Sequence, residues 1–250
     1  MTSSRPLGKI WPLKVSRGAA QIGVTLVIVP ESVASQLNES SGFLGPGERE
    51  YFSTLKFVRR RQSYLLGRYA AKMAVAHQVG EIDLRAIEIL RGVFEQPIVH
   101  CVRSVGWCVS ISHADTLAAA LAFPAGHPMG IDLEGIDSTR YETILSQLSE
   151  KERKWVQAAN REDTLQLATA LWTAKEALSK VLCTGLMSPV QIYNLSEFTR
   201  INQGHYEGTF RNFGQYKTMT WFAASHAMSI VLPKQSTLRA DGDIGAGPWC

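Results

Sequence analysis

The chain has 250 residues and a formal net charge of +4 at pH 7, and hydrophobic residues make up 45% of it. This length allows one large domain or two small ones, and the apolar content is ample for a packed core. The mild positive charge, with a sequence pI of about 8.9, suits an anionic ligand or an acidic protein partner. It is too small for a nucleic-acid-binding surface, so we expect no nucleic acid as a partner.

The cysteines and the first residues indicate a protein of the cytoplasm. The four cysteines are scattered, without the spacing of a zinc site or of a disulfide-rich domain, so we expect reduced thiols. No apolar segment follows Met1–Pro6 as a signal peptide requires, and the apolar run Val24–Val29 is far too short to span a bilayer. We therefore expect a cytoplasmic protein without a membrane segment, in which residues 1–20 form an irregular or partly pinned arm.

Short strands and helices are expected to alternate in the first half. Val24–Val29 is β-branched and bounded by glycine and proline, which predicts a buried strand. A helical pattern starts at Glu48 and resumes through Tyr64–Val75, after the basic cluster Arg59–Arg61. Such a cluster suits either phosphate binding or a solvated surface. Further strand patterns are found at Ile87–Leu90 and Trp107–Ile111.

Two carboxylates occupy one face of a short predicted strand in the second half. The strand reads I-D-L-E from residue 131, and its period of two places Asp132 and Glu134 on the same face, with Cα atoms about 6.5 Å apart. Carboxylates this close repel each other unless a cation lies between them or one is protonated. The pattern therefore indicates either a Mg²⁺ site, for which carboxylate oxygens are suitable ligands, or an acidic strand edge.

A helix is predicted over Leu171–Leu182, which lacks glycine and proline and has apolar residues at helical spacing. Trp172, Glu176 and Lys180 follow one another at intervals of four on the side opposite the apolar residues. Glu176 and Lys180 alone would indicate a surface ion pair. A tryptophan on the same side instead indicates a partner or the wall of a site.

Capping signals mark the ends of the helices in the second half. Ser149 and Glu152 form a capping box, which begins a helix, and Glu152 needs no other role than this one. Gly185 is expected to end the Leu171–Leu182 helix as its C′ residue. Two later strand patterns are found at Tyr206–Phe210 and Met219–Ala224.

The acidic strand and the central helix together carry a specific resemblance. G-I-D-L-E at Gly130–Glu134, followed by W-T-A-K-E-A-L-S-K at Trp172–Lys180, resembles the 4′-phosphopantetheinyl transferases of the large, monomeric surfactin-synthetase type. That family's pattern is G-(I/V)-D-x-E, then (F/W)-(S/T/C)-x-K-E-(A/S)-x-x-K, and every fixed position is met. The resemblance extends upstream to Ile111–His113 and Gly67–Lys72, and it covers residues 45–185.

This resemblance implies an α+β fold of two similar subdomains related by pseudo-twofold symmetry. Each would be a small antiparallel sheet packed with helices, with the active site in the cleft between them. Residues 1–124 would form the half that binds coenzyme A, residues 125–233 would form the half with the metal-binding strand and catalytic helix, and residues 234–250 would be a flexible tail. The Ala-rich segment Leu117–Phe123 is then a strand, although alanine alone favours a helix.

Weak internal similarities agree with two such halves. Ala71–Ala74 resembles Ala174–Ala177, and Ile111–His113 resembles the segment around Ser225 and His226. The similar segments occur in the same order in both halves, as a duplicated architecture requires.

The activity implied is the transfer of the 4′-phosphopantetheine arm of coenzyme A to a serine of an apo acyl or peptidyl carrier protein, with release of adenosine 3′,5′-bisphosphate. In this family Asp132, Glu134 and Glu176 would bind Mg²⁺, or Mn²⁺ in its place. Glu176 would accept the serine proton, and Lys180 would stabilise the leaving bisphosphate. We expect a monomer that serves fatty acid, polyketide or nonribosomal peptide biosynthesis.

The resemblance also implies a set of residues that contact coenzyme A. Near its phosphates these are Arg61, Arg68, Lys72, Ser112, His113, Asp132, Lys175 and Lys180. The pair Ser112–His113 would bind the 3′-phosphate, whereas for Lys175 a phosphate contact and a structural ion pair both remain open. Some family members place a glutamate near the metal at the position of Glu152. The family's usual lysine before Pro97 is replaced by Gln96, which removes one expected cation.

Two other functions are compatible with these residues. The first is a Mg²⁺-dependent hydrolase of a nucleotide pyrophosphate, which would consume coenzyme A without a protein acceptor. The second is a non-catalytic coenzyme A-binding protein of the same fold. The second is disfavoured because all four residues Asp132, Glu134, Glu176 and Lys180 are present.

Overall fold

The structure, a computed structural model, describes residues 7–39, 41–101, 105–160, 163–202, 204–223 and 225–240. The chain forms two compact units. The first comprises Met1–Lys14 and Ile22–Gly126, and the second comprises Val15–Gln21 and His127–Cys250. None of the helices formed by the described residues has the length and apolar content needed to cross a membrane.

Six strands and three α-helices of the described residues lie wholly or mostly in the first unit. The strands are β1 (Lys9–Arg17), β2 (Ala20–Pro30), β3 (Glu88–Arg91), β4 (Pro97–His100), β5 (Trp107–His113) and β6 (Leu117–Pro124). The helices are α1 (Ala34–Glu39), α2 (Pro46–Thr54) and α3 (Val58–Val79). Strands β1, β2, β6 and β5 lie side by side in this order, and β3 pairs with β4 in a separate hairpin.

The Ala-rich segment is strand β6, as the resemblance implied. It pairs antiparallel with β2 on one side and with β5 on the other, so its backbone hydrogen bonds are satisfied within the sheet. Ala118, Ala120 and Ala122 face the core that is shared with small residues of α3 such as Ala70 and Ala74. Because both surfaces carry small side chains, the helix packs closely on the sheet, and this packing outweighs the helical propensity of alanine.

The expectation of an irregular arm over residues 1–20 is wrong for Lys9–Arg17, which forms strand β1. Leu13 and Val15 are 3% and 0% exposed, whereas Lys14 between them is exposed. This alternation is the strand period of two, and the neighbouring lysines and proline conceal it in the sequence.

The second unit contains the remaining strands and helices. The strands are β7 (Gly130–Gly135), β8 (Leu195–Asn202), β9 (His205–Phe210), β10 (Tyr216–Ala223), β11 (His226–Pro233) and β12 (Thr237–Ala240). The helices are α4 (Tyr141–Gln147), α5 (Glu150–Ala158) and α6 (Thr164–Val181). Strands β7, β11, β10, β9 and β8 form one sheet in this order, and each neighbouring pair is antiparallel. Helix α6 packs on β7 and β11.

Two chain segments of the second unit differ from expectation. Leu182 caps α6, and Cys183 takes the left-handed conformation with φ of 53°, so Cys183 rather than Gly185 is the C′ residue. Thr237–Ala240 forms β12 within the predicted tail because Leu238 is buried at 4% exposure. The rest of that tail, residues 241–250, lies outside the described residues.

The two units repeat one internal layout. The strand order β2–β6–β5 with helix α3 in the first unit matches β7–β11–β10 with α6 in the second. Lys72 in α3 and Lys175 in α6 each form a buried ion pair with a glutamate of the preceding helix, in agreement with the similarity between their segments. In contrast, His113 ends β5 whereas His226 begins β11, so this second similarity does not join matching positions. A pseudo-twofold relation between the units stays a prediction.

Candidate active site

Close packing of β7 on α6 positions the acidic strand. A side chain at Gly130 would overlap the carbonyl oxygen of Ala177 and the side chain of Val181. The face of the sheet is fixed by Ser229, the register partner of Asp132 in β11, whose hydroxyl lies 2.7 Å from Thr173 Oγ1 of α6. Asp132 therefore lies on the sheet face that α6 covers.

Asp132 and Lys180 form an ion pair between the strand and the helix. Lys180 Nζ donates a hydrogen bond to Asp132 Oδ1 at 2.7 Å. The Asp132 side chain is 6% exposed and the Lys180 side chain 26% exposed, so the pair lies at the boundary between the interior and solvent. Two residues that the sequence places 48 positions apart are thus brought together as predicted.

Glu134 is held by two donors. Trp172 Nε1 donates to Glu134 Oε1 at 3.2 Å, and Arg140 donates through Nη2 to the same oxygen at 3.2 Å and through Nη1 to Oε2. Trp172 is 9% exposed and belongs to the core of the second unit. Trp172, which the sequence predicts beside a site or a partner, therefore donates a hydrogen bond to a candidate metal ligand.

Arg140 is a site residue that the sequence patterns did not indicate. It ends the short 3-10 turn Ser138–Arg140, in which the Asp137 side chain accepts hydrogen bonds from the backbone and the hydroxyl of Thr139. It lies six residues after Glu134 and outside strand β7, so no periodic pattern relates the two residues. The turn that directs the guanidinium back to the strand could have been signalled only by the Asp-x-Thr capping pattern.

Glu176 titrates in an unusual range. Its pKa is raised from 4.5 to about 7, mainly by burial and also by the neighbouring carboxylates of Asp132 and Glu134, whereas Lys180 and Arg140 act in the opposite direction. The three acidic residues are therefore close enough to influence one another. A carboxylate that changes its proton occupancy near pH 7 can exchange a proton with a substrate.

The acidic residues suit a divalent cation in chemistry but are not closed around one. Hard oxygen donors and an excess of negative charge favour Mg²⁺ or Mn²⁺. Within the described part of the chain, however, no group of three or more His, Cys, Asp or Glu side chains is placed so that it could hold a metal ion. Two of the three carboxylates are instead compensated by Lys180 and Arg140.

Lys175 has a structural role and is not exposed to ligands. Its ammonium forms an ion pair with Glu152 at 2.7 Å, and both side chains are 0% exposed. It also donates to Gln147 O and Asn194 Oδ1. Burial lowers the pKa of Lys175, and Glu152 acts in the opposite direction. Of the two roles left open for Lys175, the geometry favours the structural pair, and it places Glu152 in the same pair.

Lys72 has the same arrangement in the first unit. It pairs with Glu48, both side chains are 0% exposed, and Lys72 Nζ also donates to Phe43 O and Leu84 O. Glu48 and Glu152 each accept from the backbone N–H that begins their helix and from a distant strand N–H. The expectation that Lys72 contacts a phosphate is therefore corrected, because its charge is used inside the protein core.

Two other predicted cofactor residues lie on α3. The Arg61 guanidinium lies 4.0 Å from the centre of the Phe52 ring, and the Arg68 guanidinium lies 4.7 Å from the centre of the Tyr64 ring. Both arginines are only partly exposed. Stacking on these rings holds the guanidinium groups in fixed places on the surface of the first unit.

Ser112 and His113 end strand β5 of the same unit. Ser112 is 4% exposed, whereas His113 is exposed. The His113 ring packs on Gly67 of α3, where a Cβ would overlap it. Gln96, which replaces the usual lysine, accepts a hydrogen bond from Phe94 N at 2.9 Å and so stabilises the β3–β4 turn.

Comparisons with known proteins fit this site. Residues 128–231 match the family model of the 4′-phosphopantetheinyl transferase superfamily. A holo-(acyl-carrier-protein) synthase from Bacillus anthracis str. Ames in complex with CoA (3′,5′-ADP) is similar at 22% identity and a TM-score of 0.37, covering 46% of this chain and 96% of that chain. The holo-[acyl-carrier-protein] synthase of Thermotoga maritima is similar at 23% identity and a TM-score of 0.30, covering 52% of this chain and 72% of that chain. No curated protein matches the chain.

The second unit thus combines a sheet, a helix and a group of acidic residues within the part of the chain that matches this superfamily. All four of Asp132, Glu134, Glu176 and Lys180 fall inside the matched residues. Residues 128–231 thus resemble the 4′-phosphopantetheinyl transferase superfamily, as the sequence motifs predict, and the antiparallel sheets packed with helices confirm the α+β fold class. Membership of the large, two-halved type stays a prediction.

Proposed function

We propose that the chain transfers the 4′-phosphopantetheine arm of coenzyme A to a serine of an apo acyl or peptidyl carrier protein in a Mg²⁺-dependent reaction. The observation that carries this proposal is the grouping of Glu176 with Asp132, Glu134 and Lys180 at one end of α6, within the residues that match the superfamily. The similar Bacillus anthracis synthase is named as a complex with CoA, which supports coenzyme A as the donor substrate.

Glu176 is the group best suited to accept the serine proton. Burial and the neighbouring carboxylates raise its pKa, which makes it more basic than an ordinary glutamate and better able to take a proton. The serine oxygen then forms a bond to the β-phosphorus of coenzyme A. The bond from this phosphorus to the bridging oxygen breaks, and adenosine 3′,5′-bisphosphate leaves with the electron pair.

Lys180 stabilises the negative charge that develops on the departing bisphosphate. Its ammonium is partly exposed beside Asp132 and can reach an anion that approaches from solvent. Asp132 and Glu176, with Glu134 as a third carboxylate, would hold Mg²⁺. When bound, this ion supplies further neutralisation of the diphosphate charge. Arg61, Arg68, Ser112 and His113 are proposed to contact the remaining phosphates of coenzyme A.

The partner and the cellular setting follow from the same proposal. Carrier proteins are acidic around the modified serine, so a chain with net charge +4 would attract them through long-range electrostatics that weaken in salt. We infer that the protein acts as a monomer in the cytoplasm, in fatty acid, polyketide or nonribosomal peptide biosynthesis.

The proposal is tested by intact-mass spectrometry of apo carrier proteins incubated with the chain, coenzyme A and Mg²⁺. We expect one phosphopantetheine arm on a carrier and none on its matched serine-to-alanine variant. Failure of the folded protein to modify any of several acyl and peptidyl carriers would refute the proposal. Turnover of coenzyme A without a carrier would instead favour a pyrophosphate hydrolase.

A further inference from the structure

The Arg140 guanidinium would compete with a divalent cation for the Glu134 carboxylate. Its two oxygens accept two hydrogen bonds from the Arg140 guanidinium and one from the Trp172 indole. Bidentate pairs of this kind are the stronger and more directional ion pairs of proteins. A divalent cation bound by Glu134 would have to share these same oxygens with the guanidinium.

The location of Arg140 makes this competition specific. The guanidinium comes from a turn that is fixed by the Asp137 side chain and by the hydrogen bond from Ile136 N to Ser225 O, so it does not depend on a mobile segment for its placement. The Glu134 side chain is 16% exposed and the Arg140 side chain 44% exposed. Arg140 is therefore the more exposed partner of the pair.

The charged groups of the site also support competition between Arg140 and a cation. Lys180 compensates Asp132, and Arg140 compensates Glu134. Together with Glu176 this gives three acidic and two basic groups. A cation that binds Glu134 must therefore compete with Arg140 for the two oxygens of this carboxylate.

We propose that Arg140 is a positioning residue that holds Glu134 away from the divalent cation and so weakens the metal affinity of the site. This inference rests on the proposed function only for its metal site. The carboxylate of Glu134 moves between two partners, the guanidinium and the cation. No group outside the second unit is needed for this exchange.

The test measures Mn²⁺ binding to the full chain by electron paramagnetic resonance of free Mn²⁺, in the absence of coenzyme A and carrier. Arg140→Ala should bind Mn²⁺ about fivefold more tightly than the wild type, the gain expected when one competing bidentate pair is removed. Arg140→Lys retains the charge but not the bidentate contact, and its affinity should fall between the two. The matched control is Arg85→Ala, which removes a similar pair with Asp83 in the first unit and should change nothing.

A double variant separates competition from the mere loss of a nearby positive charge. In a Glu134→Gln background, Arg140→Ala should give no further gain, because the carboxylate that it controls is absent. A gain that persists in that background would refute the proposal, as would unchanged or weaker Mn²⁺ binding by Arg140→Ala alone, or no Mn²⁺ binding by either protein. If the binding series is as expected and no carrier is modified, only the proposed function fails.

Discussion

Replacement of Lys175 by methionine should destabilise the protein rather than weaken coenzyme A binding. Methionine has a similar length but leaves the Glu152 carboxylate in a site where both side chains are 0% exposed. Removal of one partner from a buried ion pair costs about 3–5 kcal/mol because the other charge is left uncompensated. We therefore expect Lys175→Met to lower the free energy of unfolding by about 3–5 kcal/mol in urea denaturation.

The remaining contacts of Glu152 decide where in this range the loss falls. Its oxygens still accept from Ser149 N at 2.7 Å and from Leu195 N at 2.9 Å, which stabilises the lone carboxylate and favours the lower end. Glu152→Gln in the Lys175→Met background removes the buried charge, so it should restore about 1–2 kcal/mol.

The first unit offers a matched comparison. Lys72→Met breaks the equivalent buried pair with Glu48 and should cause a loss of similar size. The reasoning would be refuted if Lys175→Met unfolded at the same urea concentration as the wild type while its KM for coenzyme A rose. That result would mean that the ammonium contacts the substrate and not Glu152.

Three further predictions follow from close packing and from the titration of one carboxylate. Gly130→Ala should lower the free energy of unfolding by about 3 kcal/mol in urea, because the new methyl group meets the rigid carbonyl of Ala177; an unchanged value would contradict the packing of β7 on α6. Gly67→Ala should shift the movable ring of His113 and raise the KM for coenzyme A with little change in unfolding, whereas a loss of stability with unchanged KM would argue against a substrate role for this histidine. In metal-free protein the pKa of Glu176 is raised to about 7, so the folded state binds the extra proton and wild-type stability declines as the pH rises from about 4.5 through 7. Glu176→Gln should accordingly exceed the wild type by about 2–3 kcal/mol at pH 8 and equal it near pH 4, and a difference that does not depend on pH would refute the raised pKa.

The motif residues could be predicted because their spacing along the chain determines which of them share a face of a strand or helix. A period of two places Asp132 and Glu134 on one strand face, and a spacing of four places Glu176 and Lys180 on one helix side. The motif as a whole then predicted that strand and helix meet, which the Asp132–Lys180 hydrogen bond confirms. No geometric rule applied to either segment alone would have given that contact.

Arg140, Lys72 and Lys175 could not be assigned from sequence for a common physical reason. A charged side chain is normally solvated, and its burial depends on a partner that is distant along the chain. Lys175 and Glu152 are 23 residues apart, and neither the capping box nor the family's metal position for Glu152 indicates a pair with Lys175. Arg140 depends on a turn that folds back on β7, which no periodic pattern describes.

Backbone expectations failed where tertiary contacts outweigh local preference. Strand β1 exists because Leu13 and Val15 are buried, although proline and lysines surround them. The end of α6 is set at Cys183, a residue that adopts positive φ, and not at the glycine that local preference favours. In both segments the observed conformation differs from the one that local residue preferences predict.

The most direct test of the central claim is the stoichiometry of the two products in a single reaction with apo carrier, coenzyme A and Mg²⁺. Adenosine 3′,5′-bisphosphate is measured by liquid chromatography and modified carrier by intact mass. The proposal predicts equal amounts of both products, and neither product when Glu176→Gln replaces the wild type. Release of the bisphosphate without carrier modification, or full transfer by Glu176→Gln, would contradict the role assigned to this acidic site.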